Sequence, residues 1–210
     1  MPYQVRIAEF LLSISAVKLS PANPFTWTSG IRSPIYCDNR MIYSHPEARD
    51  LVVQALTQRV RNLHIEPDIV AGTATAAIGW AALVADRMKL PFVYVRNSAK
   101  EHGAKKRIEG DLPPQKHVVV VEDLLSTGGS AVSTVEALRG EGQCIVTDVV
   151  SIFSYEFAAA HEKALEMNLH FHPLSTISAL LQVAKDQGRI SAQEAALITR
   201  FIRDPEGWKK

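Results

Sequence analysis

The stretch VVVVEDLLSTGGS, residues 118–130, constrains the fold of this chain more than any other. Four consecutive valines predict a strand that is buried on both faces, because β-branched residues suit a pleated strand and only a sheet covered on both sides lacks a polar face. Such a sheet is mainly parallel, flanked by helices, and typical of an α/β fold. Two carboxylates and a run of small residues follow the valines. We therefore expect the chemistry to begin where this strand ends.

The composition indicates a folded domain without a strong charge bias. Of the 210 residues, 47% are hydrophobic, which is enough for a proper core in one domain. Lysine and arginine number 23 against 22 aspartates and glutamates, so we expect no nucleic-acid partner and no membrane partner. The chain shows no signal-peptide pattern and no run of about 18 apolar residues, which predicts a cytoplasmic protein. Cys37 and Cys144 suggest neither a disulfide framework nor a metal site.

From residue 67 onward, apolar runs of strand length alternate with amphipathic runs of helix length. The predicted strands are 68–72, 91–96, 117–121 and 144–153, and the predicted helices are 75–89 and 130–142. This alternation implies parallel strands joined by helical crossovers, with ligands at the carboxyl ends of the strands.

The two ends of the chain follow a different pattern. Helices are predicted at 3–17 and 47–63, and the intervening segment 24–40, with two prolines and a glycine, predicts a short bent hairpin. Near the C-terminus, LHFHPL predicts a strand before two helices, the last of which opens with a capping box at Ser191 and Glu194.

Thr127 to Ser130 predict a cradle for a phosphate group. Small residues between a strand and a helix let backbone N–H groups converge on an anion, and the helix N-terminus adds partial positive charge. The chain lacks the phosphate motifs of nucleoside triphosphatases and dinucleotide-binding proteins. Glu122 and Asp123 would repel a phosphate unless they engage hydroxyl groups or a metal, which a sugar phosphate with a metal provides. The simpler alternative is a polar turn that caps a helix.

Two further stretches follow predicted strands. Gly72 and Thr73 form either a second anion site or a close contact between strand and helix. The segment Arg96–Pro114, called the lid segment below, has no apolar periodicity and carries Lys100 and His102 among several cations. Connections of this length are usually lids or disordered. We expect a mobile cationic lid over a polyphosphate, the alternative being a charged loop that is merely solvated.

The stretch 118–130 matches the motif that binds phosphoribosyl pyrophosphate in type I phosphoribosyltransferases. FTWTSGIRSPIYCDNR and RNSAKEHGAKKRIEG resemble orotate phosphoribosyltransferases, and the tail from IFSYEF to VAKDQGRIS is similar to one branch of that family. The resemblance covers most of the chain. It implies a Rossmann-like sheet with a small hood subdomain, a single domain over 1–210 with its core at 65–160, and a hood made of 1–45 and part of 170–210.

The resemblance also implies an activity and its partners. Orotate and phosphoribosyl pyrophosphate would react, with Mg²⁺, to give orotidine 5′-monophosphate and pyrophosphate in the synthesis of UMP. The Mg²⁺ would be held mainly by substrate oxygens and water, with no direct protein ligand expected. The protein would be a homodimer in which each lid segment reaches into the neighbouring active site.

Single residues receive roles from the same resemblance. The loop from Ser126 would hold the 5′-phosphate, the carboxylates would face the ribose hydroxyls, and the lid cations would close over the pyrophosphate. Lys100, Asp123 and His102 would be catalytic, with Lys100 the main lid residue. The residues implied for phosphoribosyl pyrophosphate are Gly72, Thr73, Arg96, Lys100, His102, Glu122, Asp123, Leu124, Leu125, Ser126, Thr127, Gly128, Gly129 and Ser130. Those implied for orotate are Ser126, Tyr36 and Cys37.

Some positions depart from the commoner pattern of the family. Thr28 and Asn97 stand where many members have a basic residue. An arginine that grips the orotate carboxylate in other members is absent near Ser154, which leaves that contact unassigned. Arg32 and Arg40 are candidates for it, the alternative for both being surface ion pairs.

Two pairs of side chains have alternative interpretations. His170 and His172 alternate on a predicted strand as metal ligands do, but without a third ligand we do not predict a zinc site. Trp27 and Tyr36 either belong to the core of the N-terminal part or stack on a base.

Three other functions share parts of the pattern. A regulatory protein that senses phosphoribosyl pyrophosphate would need a basic face or an added DNA-binding segment, and neither is visible. A purine phosphoribosyltransferase would share the central motif but not SGIRSPIYCDNR. A sugar-phosphate-binding module without turnover fits the composition but does not explain the lid segment.

Overall fold

A computed structural model describes residues 2–27, 30–98 and 106–208. The helices are α1 (Pro2–Ser13), α2 (Pro46–Arg61), α3 (Ile78–Met88), α4 (Gly129–Gly140), α5 (Ala158–Glu166), α6 (Ile177–Asp186) and α7 (Ala192–Arg203), with a 3-10 helix at Asn39–Ser44. The strands are β1 (Val17–Leu19), β2 (Phe25–Thr26), β3 (Arg32–Ser33), β4 (Ile35–Cys37), β5 (Ile69–Thr73), β6 (Phe92–Val95), β7 (Ile108–Glu109), β8 (Val118–Leu125), β9 (Asp148–Ser154) and β10 (His170–Thr176).

The central sheet has six strands in the order β10-β9-β8-β5-β6-β7. All neighbours are parallel except β6 and β7, which pair antiparallel. The predicted mainly parallel sheet is confirmed. Strand β7 was not predicted, because two residues inside the charged lid segment give no periodic signal.

Strand β8 is buried as its four valines predict, but it is longer than expected. Val120 and Val121 have no exposed surface. The strand continues to Leu125, because its pairing with β9 runs on through Glu122 opposite Ser151 and Leu125 opposite Ser154. The two carboxylates therefore lie inside the strand, and the expectation that the chemistry begins after the strand is wrong in its boundary.

Other boundaries differ from prediction as well. Helix α1 ends at Ser13 rather than at Val17, where β1 begins. Helix α3 begins at Ile78 rather than at Thr75, because residues 74–77 form a turn. Strand β9 begins at Asp148 rather than at Cys144. Of the residues before it, Ile145 makes only an isolated bridge, to His117.

The N-terminal part forms the bent hairpin that was predicted and packs with the C-terminal helices. Strand β2 pairs antiparallel with β3, and β1 with β4. Helix α7 opens with the predicted capping box, in which Ser191 and Glu194 bond to each other's backbone. One cluster of buried residues joins this part to the sheet, with Trp80, Phe153 and Phe201 among its largest members.

Within the described ranges, no helix combines the length and apolar character that crossing a membrane requires. Both cysteines are free thiols. His172 Nε2 lies 2.6 Å from Asp148 Oδ1, so its partner is a carboxylate.

Candidate active site

The two predicted anion-binding stretches lie side by side in the structure. Strand β5 ends at Thr73 and β8 ends at Leu125, and these strands are parallel neighbours. The chain runs outward from them in opposite directions across the sheet, so their carboxyl ends form a topological switch point. In open α/β sheets this is where ligands bind.

The loop after β8 has the shape of an anion cradle. Gly128 adopts the left-handed conformation, with φ of 75°, and is the N-cap of α4. Among the described residues no side chain caps this helix, so the amide N–H groups of its first turn are free to meet an anion. A Cβ at Gly128 would lie 3.3 Å from the Phe171 ring and 3.4 Å from Ala160 Cα, so α5 and β10 close the back of the loop.

Glu122 lies beneath this loop and holds its end. Ser130 Oγ donates to Glu122 Oε2 at 2.9 Å, and the Asp123 amide donates to Oε1 at 3.0 Å. Only 3% of Glu122 is exposed, and its burial, with the nearby charge of Asp123, raises the pKa of Glu122 to about 8. The structure thus ties Glu122 to the first turn of α4, and a contact with ribose hydroxyls stays a prediction.

Replacing Glu122 by glutamine is expected to change how stability depends on pH. The pKa of this carboxyl rises from 4.5 to about 8 on folding, so between these values the native protein holds a proton that the unfolded chain has lost. Wild-type stability therefore falls as pH rises through this window. Glu122→Gln removes the effect, because its side chain does not titrate. Its amide oxygen still accepts from the Asp123 N–H, while its NH₂ group donates to Ser130 Oγ, so the second hydrogen bond reverses its direction. The free energy of unfolding of this variant relative to wild type should rise by at most about 1.4 kcal/mol per pH unit.

Urea unfolding at pH 5, 6 and 7 measures this difference. Glu136→Gln, at an exposed position of the same helix α4, is the control and should give a difference that is constant with pH. The same constant difference for Glu122→Gln would contradict the burial of a protonated carboxyl.

Asn39 connects the N-terminal segment to the end of β8. Its Nδ2 donates to the main-chain oxygen of Asp123 at 2.7 Å, and Cys37 Sγ donates to Asn39 Oδ1 at 3.3 Å. Burial raises the pKa of the Cys37 thiol well above its ordinary value, with Asp123 and Asp38 adding to the effect, so Cys37 is a neutral thiol. Sequence reasoning missed Asn39, because its partner is distant in the chain.

A cavity of about 500 Å³ adjoins the loop. It brings together the three residues predicted for orotate, Tyr36, Cys37 and Ser126. Four further residues complete its lining: Thr26, Leu124 and Tyr155, which were not predicted for orotate, and Trp27, for which stacking on a base was one alternative. Ser126 belongs to both the loop and the cavity, so the two lie next to each other.

Trp27 both packs in the N-terminal part and lines this cavity. Its ring stacks on Tyr155 with 5.5 Å between centroids and an angle of 18°. The indole Nε1 donates to the main-chain oxygen of Ile35 at 3.1 Å. Tyr36 is 40% exposed and its ring lies 5.7 Å from that of Phe25. Stacking and a hydrogen bond therefore hold the Trp27 side of the cavity in place.

The end of β5 shows the packing role that was the alternative for Gly72. A Cβ at Gly72 would lie 2.9 Å from Ala81 Cβ and 3.1 Å from the main-chain oxygen of Ala77, so only glycine lets α3 approach this strand. Thr73 is buried, and Thr134 Oγ1 donates to its hydroxyl at 3.2 Å. The peptide bond that follows Ala74 is cis.

Comparison with known proteins gives the family. Residues 38–171 match the model of the phosphoribosyl transferase domain. The orotate phosphoribosyltransferase of Bacillus cereus is 48% identical to this chain over 204 residues, which cover 96% of this chain and 97% of that protein. The chain belongs to the orotate phosphoribosyltransferase family. The interpretation of its central motif as a type I phosphoribosyltransferase motif is confirmed.

Two solved structures share this fold. An orotate phosphoribosyltransferase from Aeropyrum pernix has a TM-score of 0.73 at 28% identity, with 88% of this chain and 99% of that chain covered. The UMP synthase of Leishmania donovani has a TM-score of 0.79 at 28% identity. It covers 94% of this chain, which spans 42% of the length of that protein.

Arg96, the first residue of the lid segment, is tied to Arg107 within the same segment. The Arg96 amide donates to the Arg107 main-chain oxygen, and Arg107 Nε donates to the Arg96 main-chain oxygen, both at 2.9 Å. Arg107 Nη2 donates to Ser133 Oγ of α4 at 3.0 Å, and the Arg107 amide donates to Oε2 of Glu141, the residue that follows α4, at 2.9 Å. Lys100 and His102, the predicted catalytic cations, lie outside the described residues.

The structure describes three of the four positions that were discussed as departures from the family's commoner pattern or as substitutes for its missing arginine. Arg40 makes a two-point ion pair with Asp38, at 2.7 and 2.9 Å, as its alternative interpretation predicts. Arg32 is exposed and lies opposite Thr26 across the β2–β3 hairpin. Asn97 is exposed, and Thr28 lies outside the described residues.

Proposed function

We propose that this protein transfers the 5-phosphoribosyl group from phosphoribosyl pyrophosphate to orotate, giving orotidine 5′-monophosphate and pyrophosphate. The observation that carries this proposal is the position of Ser126, which belongs to both the phosphate loop and the aromatic cavity. A ribosyl phosphate in the loop would then present its C1 to a planar base in the cavity. Membership in the orotate phosphoribosyltransferase family supports orotate as that base.

The reaction places charge at two positions. The bond from C1 to the pyrophosphate oxygen breaks as a bond from C1 to a ring nitrogen of orotate forms, so positive charge develops on the ribosyl ring and negative charge on the leaving oxygens. Fixed charges and dipoles aimed at both ends supply the stabilisation. The N–H groups at the start of α4 would hold the 5′-phosphate, and Asp123, which is partly exposed, would face the ribosyl ring. Orotate itself is the nucleophile, so no nucleophilic side chain is needed, and the proton of its ring N–H passes to water or to the released pyrophosphate.

Magnesium would enter this site bound mainly to the substrate and not to protein side chains. Both oxygens of Glu122 already accept hydrogen bonds, and the described residues contain no group of three side chains that could hold a metal. We therefore propose that substrate oxygens and water hold Mg²⁺. Of the two carboxylates, Asp123 would be the one available to interact with the hydrated ion. When bound, the ion neutralises charge on the pyrophosphate oxygens.

The remaining parts of the assignment are proposals from the family. Arg96, Lys100 and His102 would neutralise the leaving pyrophosphate, contributed by the lid segment of the partner in a homodimer. The segment 1–45 and part of 170–210 would form a hood over the orotate cavity. We further propose a cytoplasmic protein without nucleic-acid or membrane partners.

The first test is the fall in orotate absorbance when the protein meets orotate, phosphoribosyl pyrophosphate and Mg²⁺. We expect a fall that requires all three and that a chelator abolishes. Adenine, hypoxanthine and guanine are the control bases, and turnover of one of these instead would indicate a purine enzyme. Binding of phosphoribosyl pyrophosphate without any turnover would indicate a regulatory protein or a binding module.

A further inference from the structure

The sequence of the phosphate loop, residues 126–130, gives its backbone little conformational preference of its own. Two consecutive glycines, Gly128 and Gly129, stand at its turn into α4, and glycine has more conformational freedom to lose on ordering than any other residue. No side chain of the described ranges caps α4. The orientation of the loop's peptide groups must therefore come from contacts with neighbouring elements.

Helix α5 supplies one such contact through Lys163. The Lys163 ammonium donates to the main-chain oxygen of Thr127 at 3.0 Å. It also lies 3.8 Å from the point that a Cβ at Gly129 would occupy, so it stands beside the first residue of α4. The same helix contributes Ala160 to the back wall of the loop.

This contact fixes the direction of an N–H group. The carbonyl of Thr127 and the amide N–H of Gly128 belong to one planar peptide group, in which the two point in opposite directions. A lysine that holds the carbonyl toward α5 therefore aims the Gly128 N–H toward the side of the loop that α5 does not cover. Its charge also polarises the peptide group and strengthens that N–H as a donor to an anion.

We propose that Lys163 is a positioning residue for the 5′-phosphate of phosphoribosyl pyrophosphate. It acts through the Thr127–Gly128 peptide group and does not touch the reacting atoms. The inference rests on the proposed function, of which it names one further part. Sequence analysis did not single out this lysine, because it lies in α5, outside both the central motif and the lid segment.

Steady-state kinetics of Lys163→Met test the proposal, with Lys163→Arg as the conservative variant and Lys185→Met, at an exposed position in the last turn of α6, as the matched control. We expect Lys163→Met to raise the KM for phosphoribosyl pyrophosphate and the Kd for ribose 5-phosphate by about tenfold. The KM for orotate should stay within about twofold of wild type. Lys163→Arg should restore most of the loss, since it keeps a charged donor.

Two results would overturn the proposal. One is an unchanged KM for phosphoribosyl pyrophosphate in Lys163→Met. The other is an equal rise in the KM for both substrates with a lowered Tm, which would show that Lys163 only stabilises the fold. If wild-type protein lacked turnover, the proposed function would fail, and the Kd for ribose 5-phosphate would still decide the role of Lys163.

Discussion

Replacing Lys100 by alanine is expected to lower kcat by about 10²- to 10⁴-fold, by analogy with other cations that act on phosphate leaving groups. The pyrophosphate gains negative charge as its bond to C1 breaks, and a cation placed there stabilises the transition state more than the bound substrate. Rates at saturating orotate, phosphoribosyl pyrophosphate and Mg²⁺ measure the effect. Lys106→Ala is the control, because Lys106 is an exposed lysine of the same segment that is not among the residues implied for phosphoribosyl pyrophosphate. An unchanged rate for Lys100→Ala would remove Lys100 from the mechanism.

Replacing Gly128 by valine is expected to abolish most activity by a different route. A side chain at φ of 75° costs about 1–2 kcal/mol, and pressing it against Phe171 and Ala160 costs about 1–3 kcal/mol more. The loop should shift, so kcat/KM for phosphoribosyl pyrophosphate should fall by at least about 100-fold, together with a lower Tm.

Gly188→Val separates the two causes. Gly188 has a similar φ of 65°, but nothing lies within 4 Å of its Cβ position. This variant carries the backbone strain without the contact, so it should lose some stability and keep its activity. Equal losses of activity in both variants would show that strain alone is responsible and that the back wall of the loop does not matter.

The two variants together test the shared active site. If the lid segment of one subunit serves the loop of the other, mixing Lys100→Ala with Gly128→Val should restore partial activity, because one site of each mixed dimer then has both parts intact. Restored activity is measured after the two proteins have been unfolded and refolded together. No activity above that of the separate variants would place the lid segment over its own subunit.

The sequence predicts the sheet because its signals are local. Four valines, the helical spacing between strands and the capping box of α7 each act within a few residues, and all three are confirmed. The carboxylates of β8 are the exception. Glu122 has low strand propensity, and only its pairing with Ser151 and its bond to Ser130 explain why it is buried in a strand.

Part of the candidate site depends on contacts between residues that are distant in the sequence, and no local pattern predicts such contacts. Tyr36, Cys37 and Ser126 are found together as the family resemblance implies. Asn39 and Tyr155 are not found by any pattern, since each meets its partners only after distant segments pack. Gly72 has a packing role that its alternative interpretation predicts, and its contact with pyrophosphate stays a prediction.

The hydrogen bonds between Arg96 and Arg107 close the base of the loop that connects these two residues. Bringing the ends of a loop together costs entropy that grows only with the logarithm of its length. Here, backbone and side-chain bonds at the base already join those ends to each other and to α4. The closure of this connection is therefore set mainly by the bonds at its base, so each doubling of its length is expected to lower the free energy of unfolding by only about 0.6 kcal/mol.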